Sequence, residues 1–316
     1  MERCMRILLA LAFPLLAGCL PTQDSSNLPK TGTFTQLASM NTARADHASE
    51  VVNGHIYVIG GVQLNNVGGY PDSVEQYDPT SNAWTTVANM TSGRQGMASA
   101  TLGNSIYIFG GYDATHESGL SVAEAYDTST NTWFTLSAMP LPAEYASART
   151  VGSLIYVFTG AYNGYASTAK AYSYNPASDT WTGLASYPGH STNGAEPVIM
   201  GTQIYFVGRD PVIIYDTVSN TWSQMNGVTA FNDSNGGQAV ALLNNSIYAF
   251  DVYANTGAQT AGLEVYRTSP ALLSQLYYSP FQLTLSRVVV LNNMAFISGG
   301  SDLQGNVSAN FYRFSP

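Results

Sequence analysis

The sequence predicts an all-β fold assembled from six copies of one small sheet. Three observations predict it. A short apolar strand recurs along the chain, and a Tyr and a Trp follow it at constant spacing. Only 10% of the 316 residues are charged, whereas the chain holds 21 Tyr and 29 Gly, a composition suited to strands and turns rather than to helices.

Along the chain, the first element lies outside the fold. Arg3 and Arg6 precede the apolar run Ile7 to Leu16, too short to span a bilayer as a helix and arranged as an export signal. It closes on LAGC, Leu16 to Cys19, small residues immediately before a cysteine. This ending resembles the lipobox of bacterial lipoproteins; the alternative is a plain secretory signal with an incidental Cys. The resemblance implies a signal peptide over 1–18 and lipidation of Cys19. Leu20 follows the cysteine where an Asp would favour inner-membrane retention, so the expected address is the outer membrane, periplasmic or surface-facing. Residues 19–32 then form the lipidated Cys and a polar, proline-punctuated tether, and the folded domain covers 33–316. Loss of Cys4 with the signal leaves Cys19 as the one mature cysteine, so no disulfide within the chain is expected.

The repeat begins with GHIYVIGG at Gly54 and returns as NSIYIFGG at Asn104, SLIYVFTG at Ser153, TQIYFVGR at Thr202, NSIYAFDV at Asn245 and NMAFISGG at Asn293. Its aromatic falls at Tyr57, Tyr107, Tyr156, Tyr205, Tyr248 and Phe296, in steps of 50, 49, 49, 43 and 48 residues. Ile56, Tyr57, Val58 and Ile59 are apolar on both faces of a strand, so this strand must be sandwiched between neighbouring sheets. A second motif travels with it. Tyr77 and Trp84, Tyr126 and Trp133, Tyr174 and Trp181, and Tyr215 and Trp222 each stand seven residues apart.

An apolar strand ending in double Gly, then a Tyr, then a Trp, at a period near 50, resembles the kelch repeat. The double Gly is intact in the first, second and sixth copies and reduced to Thr159-Gly160 and Gly208-Arg209 in the third and fourth. The fifth has Asp251-Val252, and no Trp follows Tyr266 or Tyr312. The resemblance implies a six-bladed kelch β-propeller, whose stacked sheets bury both faces and leave only short edges. The chain ends at NFYRFSP, before a sixth outer strand, whereas FTQLASM, Phe34 to Met40, resembles WTTVANM with Phe34 in the place of Trp. The sixth blade is therefore expected to be closed by an N-terminal strand. The four Trp are read as packing between blades.

A net charge of −9 and a pI near 4.7 disfavour nucleic acid as a partner. His47, His55, His116 and His190 lack the spacing of a metal site, and no metal or cofactor is expected. Thirteen residues before each core aromatic the inner strand should begin, which selects Arg44 and Arg94. The resemblance implies that arginines there line a ligand-facing channel mouth; the alternative is rim charges with solvated partners. The loops after the glycines, with the chain beside them, add Tyr112, Asp113, Glu144, Tyr162, Tyr165, Arg209, Asp210, Tyr253 and Asp302, a mixture of aromatic faces and hydrogen-bonding groups suited to sugars or extended peptides. Three functions remain open: a monomeric, lipid-anchored module that binds protein or glycan, a periplasmic kelch enzyme resembling those that interconvert sialic acid anomers, and a structural envelope protein.

Overall fold

The computed structural model describes residues 32–63, 69–113, 115, 119–159, 170–186, 197–207, 212–225, 239–253, 261–268, 271–278, 285–302 and 304–316; side chains are described up to Gln224 and, beyond it, over 239–250 and from Leu285 onward. The signal segment, Cys19 and the tether up to residue 31 lie outside these residues.

The described residues form 24 strands. After β1 (Thr33–Gln36) come β2 (Ala48–Val52), β3 (His55–Ile59), β4 (Val74–Asp78) and β5 (Ala83–Val87), which make one four-stranded antiparallel sheet in sequence order. The same meander is repeated by β6 (Ala98–Leu102), β7 (Ser105–Phe109), β8 (Ala123–Asp127) and β9 (Thr132–Thr135), and by β10 (Ser147–Val151), β11 (Leu154–Phe158), β12 (Ala171–Asn175) and β13 (Thr180–Gly183). It continues in β14 (Val198–Met200), β15 (Gln203–Phe206), β16 (Val212–Asp216) and β17 (Thr221–Met225), and in β18 (Ala239–Leu243), β19 (Ser246–Tyr253), β20 (Ala261–Thr268) and β21 (Ala271–Tyr278). The last three strands, β22 (Arg287–Leu291), β23 (Met294–Ser298) and β24 (Phe311–Ser315), are joined at their outer edge by β1. The first strands of successive sheets are neighbours, β2 beside β6, β6 beside β10, and so on to β22, which returns to β2. The molecule is an all-β propeller around a central channel.

Each core strand is buried on both faces, as its unbroken apolar run requires: Ile56, Val58 and Ile59 have no exposed surface. The double glycine after it has a steric cause. Gly60 and Gly61 take φ of 64° and 102°, and a Cβ on Gly61 would sit 2.6 Å from the Ala45 carbonyl oxygen. Only glycine tolerates both conditions. The Gly61 N–H in turn donates to Arg94 O at 2.9 Å, and Gly111 and Gly300 donate likewise to Ala143 O and Arg44 O, so this turn docks one sheet onto the next.

The Tyr and Trp seven residues apart are direct cross-strand partners, Tyr77 opposite Trp84 and Tyr215 opposite Trp222. Tyr77 Oη donates to Asn82 Oδ1 at 2.8 Å, and the same oxygen accepts Ala38 N–H at 3.0 Å. Trp84 Nε1 then donates to Ala38 O at 2.8 Å. Asn82 holds φ near 52°, which Asn accepts readily. The clamp recurs at Tyr126, Asn131 and Trp133 on Ala88, at Tyr174, Asp179 and Trp181 on Ser137, and at Tyr215, Asn220 and Trp222 on Ala185. It ties these four outer strands to the chain that leaves the preceding sheet and enters their own, in addition to the packing of the rings. In the last sheet Phe34 pairs with Phe314, ring centroids 4.9 Å apart. Phe314 faces Ala295 on the core strand as Tyr77 faces Ile56, so the sixth counterpart of the repeated Tyr is Phe314, not Tyr312. A two-residue offset moves Tyr312 within the same strand face but away from the clamp position.

Candidate functional site

Arg44 and Arg94 do not line a ligand-facing mouth. Both are fully buried. Arg44 Nη1 donates to Gly60 O at 2.8 Å and to Ser73 O at 3.1 Å, while Nη2 reaches Ser73 Oγ at 2.9 Å and Glu75 Oε1 at 2.7 Å. Glu75 accepts the Asn41 and Thr42 backbone N–H groups as well. Arg94 repeats the arrangement, with Nε on Gly110 O at 3.1 Å and Nη2 on Glu124 Oε2 at 2.5 Å. Burial pulls the Arg44 guanidinium below its ordinary pKa, and Glu75 opposes that shift. The backbone carbonyl at this repeat position receives the double glycine of the adjacent sheet, which places the residue between sheets. The sequence count found the right repeat position but the wrong environment: each arginine is an internal strut.

The mouth itself is built two residues further on. Asp46, Gly96, Tyr145 and Leu285 each stand eleven residues before a core aromatic, and all four take positive φ, at 54°, 63°, 52° and 57°. Their backbones form a chain of hydrogen bonds across sheets, Asp46 N–H to Leu285 O, Gly96 N–H to Asp46 O and Tyr145 N–H to Gly96 O. A left-handed Tyr or Leu costs about 1–3 kcal/mol and persists only where its surroundings over-determine it. Beside this collar Arg287 Nη2 pairs with Asp46 Oδ1 at 2.9 Å, and His47 Nε2 lies 2.8 Å from Ser298 Oγ. Burial raises the Asp46 carboxyl although Arg287 lowers it. Burial, with Arg287 and Arg44 nearby, holds the His47 imidazole well below its usual range. The Tyr145 hydroxyl is pushed up by burial and by Asp46. Among the described residues, His47 Nδ1 has no hydrogen-bond partner.

Around the collar, half-buried Tyr70 and Tyr112 meet edge to face at 5.9 Å. Glu144 is half-buried and adds its charge to the surroundings of Tyr145. Asp113 and Asp302 are largely occupied in shaping their own loops, accepting from Thr115 and from Gln304 and Asn306 respectively. Tyr162, Tyr165, Arg209 and Asp210 lie outside the described residues, and Tyr253 is described only as the backbone end of β19. Among the described residues no three His, Cys, Asp or Glu side chains cluster as metal ligands would. Tyr70, Tyr145, Asp46 and Arg287 escaped the sequence reading; counting eleven rather than thirteen residues back would have selected Asp46 and Tyr145.

Below the mouth runs a cavity of about 510 Å³ lined by the first strand of every sheet. Its tiers follow from strand register. The residues opposite the six core aromatics are Glu50, Ala100, Arg149, Val198, Ala241 and Val289, and all six line the cavity. Glu50 accepts Ser99 Oγ–H at 2.7 Å, Arg149 Nη1 donates to Ala148 O at 2.8 Å, and Thr150 Oγ1 donates to Thr101 O at 2.7 Å. One half of the channel is thus polar and charged, the other aliphatic.

A family model described as the KLHDC2/KLHL20/DRC7 Kelch-repeats domain matches residues 46–251. Among solved structures, one titled "Structure of YjhT" is similar to this chain with a TM-score of 0.70 at 15% identity, covering 87% of this chain and 96% of that one; likeness at that identity is likeness of fold. No curated protein matches.

Proposed function

The chain belongs to the kelch-repeat family, and from that premise we propose that it is a recognition module of the bacterial cell envelope, held by lipid on Cys19 and binding a protein or glycan at the channel mouth. The Tyr70–Tyr112 pair carries this reading, since partly exposed aromatic faces beside hydrogen-bonding groups suit a sugar ring or an extended peptide. On this reading the propeller is a six-bladed ring whose sixth blade takes its outer strand from the N-terminus, supported by the pairing of β1 with β24. The test is a glycan array and an envelope-protein binding screen with the full chain and with Tyr70→Ala/Tyr112→Ala. Loss of a partner in that variant is expected, and a partner bound equally by both moves the site elsewhere. Metabolic palmitate labelling tests the anchor, and label retained in Cys19→Ser refutes it.

A second reading, an enzyme acting on sialic acid anomers, is favoured by one observation: a carboxyl raised by burial, Asp46, lies against Tyr145 at the mouth, an arrangement suited to proton transfer. Anomer exchange followed by NMR on sialic acid separates the readings, because a binding module leaves the uncatalysed rate unchanged.

A further inference from the structure

One side of the channel wall is more apolar than the fold requires. The residues that pair with the position just before each core aromatic are Val51, Thr101, Thr150, Ile199, Leu242 and Val290, and all six line the cavity. None of them is fully buried. Five are half-buried and Val290 is 38% exposed, so packing between sheets does not account for their side chains. The sheets that begin with β6 and β10 carry threonine at this tier, which shows that the frame accepts a hydroxyl there. The other four sheets place branched aliphatic side chains at the same position, and Val289 adds another half-buried one to the wall beside Val290. Water against such a surface is unfavourable, and an apolar ligand that displaces it gains in proportion to the area covered. The volume of about 510 Å³ lies within the range of small-molecule sites, roughly 300–1,000 Å³.

We propose that this cavity binds a neutral, mainly aliphatic small molecule with one uncharged polar end, of the class of medium-chain alcohols. Its chain lies against Ile199, Leu242, Val289 and Val290, and its polar end meets Thr101. The Thr101 hydroxyl makes no hydrogen bond among the described residues, whereas Thr150 Oγ1 donates to Thr101 O at 2.7 Å. A charged ligand is disfavoured. Glu50 and Arg149 on the same wall already have partners, so a ligand charge drawn out of water there would go uncompensated. The proposal stands apart from the partner at the mouth and is tested without it.

The experiment is calorimetric titration of the full chain at pH 7 with 1-octanol, alongside octanoate and octylammonium, which carry an aliphatic chain of the same length on a charged end. Saturable binding of 1-octanol is expected, with each charged analogue weaker by about tenfold or more. Val290→Trp puts a bulky ring into the channel and should abolish binding. Val290→Asn, which keeps the volume but makes the wall polar, should weaken it by about fivefold or more, and Thr101→Val by about threefold or more. Tyr70→Ala/Tyr112→Ala should bind 1-octanol as the wild type does; loss there would move the ligand to the mouth and overturns the proposal. So does absence of saturable binding to the folded wild-type chain, a charged analogue that binds as tightly as 1-octanol, or binding unchanged in any of the three channel variants. Urea melts check that each variant is folded, and if Val290→Trp is not, Val290→Asn at this exposed position and the three-ligand comparison on the wild-type chain decide.

Discussion

Replacing Arg44 by Met tests whether these arginines hold the propeller together. The change removes the donors to Gly60 O, Ser73 O and Ser73 Oγ and leaves Glu75 buried without its cation. Glu75 keeps the Asn41 and Thr42 N–H groups, so the carboxylate is not wholly stranded, and the methionine chain refills much of the volume. Removing one partner of a buried ion pair costs about 3–5 kcal/mol. At about 2–4 °C per kcal/mol for a domain of a few hundred residues, the melting temperature should fall by about 6–20 °C. Glu75→Gln should cost less, since its amide oxygen still accepts one N–H. The double variant should cost less than the sum of the two, with a coupling of about 0.5–3 kcal/mol. Urea unfolding at pH 7 measures all three. A loss below about 1 kcal/mol for Arg44→Met, or strictly additive singles, would refute the strut.

The remaining expectations concern closure, pH and the Trp clamp. Deleting 33–37 removes β1 from β24 and bares a sheet edge, so its melting temperature should drop well below that of a chain lacking 21–30; equal melts would show that β1 does not contribute to the last sheet's stability. The folded chain resists protonation of His47, because burial holds its imidazole well below 6.5. The unfolded chain takes up that proton first, so the stability present above pH 6.5 should fall on acidification toward about pH 5. Asp46 opposes this: its raised carboxyl contributes stability that is full below pH 3.8 and declines as pH rises through the folded value. A stability profile no flatter in His47→Gln than in the wild type would exclude His47 as the cause. Trp84→Phe keeps the ring packing on Tyr77 and Phe311 but loses the donor to Ala38 O, so it should cost about 0.5–1.5 kcal/mol in a urea melt, and no measurable loss would reduce the clamp to packing.

What was legible follows from what each repeat position does. The Tyr and Trp spacing showed itself because both partners of the clamp lie on adjacent strands joined by a short turn, so a three-dimensional contact appears as a fixed interval in sequence. The double glycine was legible for the same reason: a local backbone requirement, φ of 64° and 102° at Gly60 and Gly61, leaves a residue-type signature. Arg44 and Arg94 were misread because an arginine strut and an arginine ligand site share the same letter. What separates them is Glu75 and Glu124, about thirty residues downstream on the third strand, one residue after a position that reads only as apolar. Their recurrence two residues before Tyr77 and Tyr126 was a signal available in the sequence. The channel was also within reach. Seven residues before each core aromatic lie Glu50, Ala100, Arg149, Val198, Ala241 and Val289, a period set by the two-residue turn between the first and second strands. Its content varies from sheet to sheet while the framework repeats, and it is that variation on a constant frame, not the repeat itself, that can specify a ligand.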